Sequence, residues 1–204
     1  MRKRESLRRR RWSRQPKPRI LIVCEGGVTE PEYFRDLYVR ERSLIELEIS
    51  PGGTPKTLVE RAVAKKKESE RRAKRDENER YQHIWCVFDV DEHPYLAEAQ
   101  QQARDNKIDV AVSNPCFELW ALLHFQDRRA WIDRAQVQSL CRQHMPGYER
   151  RLPCDVLHPR TSEARQRAIE LDHWHGTRGT EGDNPSTAVY RLVDIIRNKA
   201  ADDQ

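Results

Sequence analysis

The chain has 204 residues, 37% hydrophobic and 35% charged, enough for one sizeable α/β domain. No apolar run approaches the roughly 18 residues of a membrane helix, which excludes a helical membrane protein and makes the cytoplasm the expected location. The formal net charge of +5 is unevenly placed, because residues 1–19 hold ten Lys or Arg and one acid whereas the remainder sums to −4.

The first segment, residues 1–18, is too rich in like charge to pack and closes with Pro16 and Pro18, so it is expected to be a disordered basic arm. Arg8, Arg9, Arg10 and Arg11 are its candidate nucleic-acid contacts, acting by counterion release. A solubilising tail or a contact with anionic lipid explains the same residues. A signal peptide does not, since the charges run into a core strand rather than an apolar segment with a cleavage site. Cys24, Cys86, Cys116, Cys141 and Cys154 are odd in number and share no CxxC spacing, which favours reduced, buried thiols.

Ile20 to Cys24 reads as a buried parallel strand, short and continuously apolar between Pro18 and Gly26-Gly27. A helix is predicted from Thr29, with Thr29 and Glu32 as the two halves of a capping box and Tyr33, Phe34, Leu37 and Tyr38 on its apolar face. Leu44 to Ile49 alternates apolar and acidic residues, as a half-exposed strand near a sheet edge does. The next helix begins near Pro55 and continues into the charged stretch from Lys65 to Arg80, where Glu68 and Arg72 have the favourable four-residue spacing. A solvated face is the plainer reading of that stretch, and polyanion contact the other.

A strand at Ile84 to Asp89, a helix at Ala97 to Asn106 and a strand at Ile108 to Val112 follow. Strand, helix and strand in this rhythm imply crossover connections and a mainly parallel sheet of about four strands. Asn114-Pro115 is expected to open another helix, with Asn114 as cap and Phe117, Trp120, Ala121 and His124 on one face. Residues 126–160 suggest short helices with irregular connections. Two helices then close the chain, at Ser162 to His173 and Ser186 to Lys199, the second opened by Asn184-Pro185. A flexible loop is expected between them, from Gly176 to Asp183. The organisation read from this is a basic arm (1–18), an α/β core (19–125) and a helical extension packed on it (126–204).

Chemistry concentrates where carboxylates follow two of the buried strands. Open α/β sheets bind their ligands beyond the carboxyl ends of the strands. Glu25 follows the first strand; Asp89 and Asp91 end the third, and their i, i+2 spacing lets both face one ion. These three are the candidate catalytic residues and metal ligands, with Glu30 and Glu118 as further candidate ligands. An all-oxygen donor set favours Mg²⁺ or Mn²⁺. Glu25 could alternatively act as a general acid or base. Gly26-Gly27 would let a phosphate approach the backbone. Acids near a helix start also serve capping and the helix dipole, which is the plainer account of Glu30, Glu32 and Glu118. His124 fits a core histidine, and His173-Trp174-His175 lacks the partners of a zinc site.

Glu25-Gly26 after one buried strand and Asp89-Val90-Asp91 after a later one resemble the Toprim signature of topoisomerases, bacterial primases and related nucleases. More closely, Cys24-Glu25-Gly26-Gly27-Val28-Thr29-Glu30-Pro31-Glu32-Tyr33-Phe34, Asp89-Val90-Asp91, Ser113-Asn114-Pro115-Cys116-Phe117-Glu118-Leu119-Trp120 and Asn184-Pro185-Ser186-Thr187 resemble, in that order, the RloB family. The resemblance implies a Toprim-like, Rossmann-like fold acting in prokaryotic antiphage defence and abortive infection, often beside an ABC-type ATPase. It assigns Glu25 to the Toprim glutamate and Asp89 and Asp91 to the aspartate pair. Glu30 follows Glu25 by five residues where the wider nuclease class often has four.

The function these readings lead to is a Mg²⁺-dependent endonuclease acting on DNA or RNA, transfer RNA included, under the control of a partner ATPase. The alternative is a catalytically weak nucleic-acid-binding adaptor for that ATPase. A primase-like polymerase is a third reading that no nucleotide-binding motif announces.

Overall fold

The structure, a computed structural model, describes residues 19–42, 44–49, 53–90, 95–180 and 182–201. The basic arm with Arg8 to Arg11, and Asp91, lie outside the described residues.

Strand β1 (Arg19–Cys24) leads into helix α1 (Thr29–Glu41), followed by β2 (Leu44–Ile49) and α2 (Pro55–Ala73). Then come β3 (Tyr81–Asp89), α3 (Leu96–Asp105) and β4 (Asp109–Asn114). The four strands pair in parallel in the order β2-β1-β3-β4, with a helix in each connection between consecutive strands. Placing β1 beside β3 brings the two acid-bearing strand ends together. Arg19 pins the opposite end of β1, with Nη2 2.7 Å from Glu46 and Nη1 3.0 Å from Glu79.

The alternation of β1 divides the interior into two cores. Leu21 and Val23, with Ile84, Cys86 and Phe88 of β3, pack on Leu58, Val59 and Ala62 of α2 and Ala99 and Ala103 of α3. Ile20, Ile22 and Cys24 face the other way, toward Tyr33, Phe34 and Leu37 of α1. That second core continues through α4 (Glu118–Leu123), α5 (Arg134–His144), the single turn α6 (Cys154–Leu157), α7 (Thr161–Gly176) and α8 (Val189–Ala201). Trp120 Nε1 donates to Tyr33 Oη at 2.9 Å, tying α4 to α1 inside it.

The expected mainly parallel α/β sheet is therefore present, with one addition. Ser186–Thr187 forms a short strand, β5, antiparallel to β4, so the last helix begins at Val189 rather than Ser186. Asn114 and Asn184 do not cap helices. Asn114 ends β4 and donates from Nδ2 to Gly182 O at 3.0 Å, while Asn184 brackets the backbone of Ile132, accepting its N–H at 3.0 Å and donating to its carbonyl at 2.8 Å. Asn114-Pro115 and Asn184-Pro185 are both cis, which places two asparagine-proline turns side by side at the β4–β5 edge.

Two further expectations are corrected. The capping box at Thr29 does not form: Val28 precedes the helix without a side-chain cap, and the Thr29 hydroxyl donates to Arg150 O at 3.0 Å. Helix α2 stops at Ala73 rather than running to Arg80, because Asp76 caps a 3₁₀ turn at Glu77–Glu79 that leads into β3. The Glu68–Arg72 pair does form within α2.

Candidate active site

A cleft of about 200 Å³ at the carboxyl end of the sheet is lined by Glu25, Gly26, Thr29, Glu30, Asp89, Phe117, Glu118 and Arg134. Its positions follow from the register. Cys24 pairs with Val87, and Glu25 N–H donates to Val87 O at 3.1 Å, so the first residue beyond β1 is held against β3. Asp89 pairs with Ser113 of β4, whose carbonyl accepts Val90 N–H at 2.8 Å. Ser113 Oγ in turn lies 2.8 Å from Thr187 Oγ1, so its buried hydroxyl braces the β4–β5 edge rather than a helix start.

Gly26 makes the close approach of Glu30 possible. A Cβ at position 26 would stand 1.9 Å from Glu30 Oε2. Burial holds the Glu30 carboxyl above the usual range; the charges of Glu118 and Glu25 push the same way, against backbone hydrogen bonds at Glu30 and Gly26. Glu30 is only 6% exposed, so an acid here needs either a proton or a cation.

Glu118 enters from the first turn of α4 and is 8% exposed. Its Oε1 accepts from Tyr148 Oη at 2.9 Å and from Gln138 Nε2 at 3.4 Å, and its backbone carbonyl accepts from Cys141 Sγ at 3.4 Å. Arg134, at the start of α5, donates from Nη2 to Asp89 Oδ2 at 2.8 Å. Among the residues lining the cleft it supplies the positive charge. Burial raises the thiols of Cys24 and Cys116 well above their ordinary value, with Glu30 contributing at Cys24 and Glu118 and Asp89 at Cys116, so neither offers a thiolate nucleophile.

Four of the five proposed acids, Glu25, Glu30, Asp89 and Glu118, are thus brought to one cleft from separate segments. Asp91 lies outside the described residues. Arg134, Tyr148 and Gln138 escaped the sequence reading because they come from the poorly patterned stretch after residue 126. Asp133 and Gln136 form a true capping box there, which fixes where Arg134 begins its helix. That box announced a helix start, and nothing in it announced a partner for Asp89. His124 is 2% exposed with Nδ1 2.8 Å from Trp120 O, and His175 lies between Thr180 Oγ1 at 2.9 Å and Pro185 O at 2.8 Å. Both are internal braces, and neither lines the cleft.

The donor chemistry fits a hard divalent cation, since the donors are carboxylates and largely buried, although among the described residues no three of them bring a ligand atom each within 4.8 Å of one another. A search of curated proteins finds no match, and a search of solved structures finds none either. A family model described as RloB-like protein matches residues 20–196, spanning the fold from β1 into α8. The chain belongs to the RloB-like family.

Proposed function

We propose that the protein is a Mg²⁺- or Mn²⁺-dependent Toprim-type endonuclease that hydrolyses phosphodiester bonds of DNA or RNA. The observation that carries the reading is the convergence of Glu25, Glu30, Asp89 and Glu118 beyond the ends of neighbouring parallel strands, beside the cation of Arg134. Glu25, Asp89 and Asp91 would hold the ion, with Glu30 and Glu118 completing its surroundings. When bound, the metal supplies Lewis-acid stabilisation of phosphate charge.

The protein's own groups do the rest. Arg134 is placed to meet a phosphate oxygen as it leaves Asp89, and Tyr148 holds Glu118 in one orientation. Gly27, with open space where a side chain would stand, leaves a phosphate room to approach the backbone. Burial and the neighbouring acids hold the Glu30 carboxyl above its usual range, an unfavourable setting that the charge of a bound cation would relieve. The basic arm would capture the nucleic-acid backbone without reading its sequence. Family resemblance extends the reading to antiphage defence, with a partner ATPase as the controlling element.

The test incubates the full chain with plasmid, phage DNA and total transfer RNA in Mg²⁺, Mn²⁺ or EDTA, with and without the neighbouring ATPase. Metal-dependent cutting that falls at least about 100-fold in Glu25→Gln and Asp89→Asn supports the nuclease. Binding that survives EDTA and both substitutions, with no cutting even beside the ATPase, replaces it with an adaptor.

A further inference from the structure

The geometry points to a second metal site, for Zn²⁺, formed by Asp36 of α1 with Cys154 and His158 of the α6 segment. One ligand atom from each lies within 4.8 Å of the other two, and among the described residues no other set of three His, Cys, Asp or Glu side chains comes together so closely. Cys154 opens α6 and His158 follows it by four residues with helical backbone angles, so thiol and imidazole share one face. Asp36 reaches them from α1, with Oδ2 2.6 Å from His158 Nε2.

The donor set separates this cluster from the carboxylate cleft. Sulfur, nitrogen and oxygen together suit Zn²⁺, whereas Mg²⁺ takes oxygen alone. A tetrahedral zinc spaces its ligand atoms about 3.3 to 3.6 Å apart. The histidine–aspartate contact would open and the thiol would close on it, by side-chain rotation without backbone movement. Three protein ligands leave a fourth position for water on the side of Asp36, whose side chain is 48% exposed while that of His158 is 5% exposed. The Tyr33 ring stacks against His158 at a centroid distance of 6.1 Å and fixes the imidazole plane. Binding displaces the Cys154 thiol proton to solvent.

The site has a structural consequence. Helix α1 carries Glu30 and meets the extension through the shared apolar core and through polar links such as Thr29 to Arg150 O and Glu32 to Arg151 at 3.7 Å. Zinc between Asp36 and the α6 segment would staple α1 to the extension one and a half turns from the cleft.

The experiment dialyses the full chain against chelator, adds Zn²⁺ alone and counts retained metal by mass spectrometry, then repeats with Co²⁺ and records its absorption spectrum. The expected result is one equivalent of zinc and a sulfur-to-cobalt charge-transfer band that persists in Cys116→Ser and disappears in Cys154→Ser. Zinc affinity falls at least about tenfold in Asp36→Asn and is unchanged in Glu25→Gln, which separates this site from the carboxylate cleft. No retained zinc, or a cobalt band that survives Cys154→Ser, overturns the site. Should Cys154→Ser fail to fold by circular dichroism, absence of the band from the wild-type chain is itself decisive against it.

Discussion

The cleft depends on an atom that is absent. Glu30 occupies the space that a side chain at position 26 would need, so replacing Gly26 sets two groups against each other. Gly26→Ala is expected to destabilise the chain by about 1–3 kcal/mol as the carboxylate is forced aside. In a Glu30→Ala background the obstacle is gone, and the same substitution should cost less than about 0.5 kcal/mol, a coupling that urea unfolding of the four proteins measures directly. Equal costs in both backgrounds would place the strain in the backbone instead. The glycine is therefore room for an acid rather than room for a phosphate.

At the scale of elements, helix α4 shows how a local pattern can be right while its boundary is wrong. Phe117, Trp120, Ala121 and His124, the face that the sequence periodicity marks, are all buried, yet the helix starts at Glu118 rather than at Pro115. Asparagine before proline is a general helix-start signal; here the asparagine side chain is drawn to Gly182, a long-range partner that no local pattern contains. Strands β1 and β3 were legible because burial on both faces makes a continuous apolar run, and β5 was not, because two residues carry no periodicity. The same contrast divides the cleft: its strand-end acids could be read, and Arg134 could not. His124, which closes α4, carries a measurable consequence of its burial. Desolvation, aided by the charges of His158 and Arg167 and opposed by hydrogen bonding at Trp120 and Ala121, lowers its pKa from 6.5 to about 4. The unfolded chain therefore binds this proton first as pH falls, so stability is full above about pH 6.5 and is lost toward pH 4. Between pH 7 and pH 5 that loss amounts to about 2 kcal/mol, and His124→Gln should remove that part of the pH dependence whatever it does to stability at pH 7.

Over the whole molecule, part of one face of the sheet is covered by residues that follow position 126. Val137, Cys141, Leu157, Ala164, Leu192, Val193 and Ile196 belong to the same continuous core as Ile20 and Ile22. A fragment ending at residue 125 would expose that face, and it is expected to show no cooperative urea transition, whereas the full chain unfolds in one. The extension also reaches the chemistry, because Arg134 from α5 holds Asp89 from β3. On the proposed nuclease reading, two roles for this pair make opposite predictions about metal. If Arg134 merely braces Asp89, Arg134→Gln frees the carboxylate to wander, and Mg²⁺ affinity and cutting fall together. If Arg134 is the cation that meets phosphate, its removal leaves a more negative cleft, so Mg²⁺ binds more tightly while cutting slows. With its side chain 42% exposed, the charge is worth the modest energy of a screened pair, and the expected tightening is about twofold to fivefold by titration calorimetry. Cutting should slow by about tenfold or more, since the same charge is better used where negative charge grows in the transition state. A divergence of the two readouts is what the phosphate role requires, and the arrangement favours it, because an arginine with four carboxylates around one cleft must yield at least one of them to a bound metal.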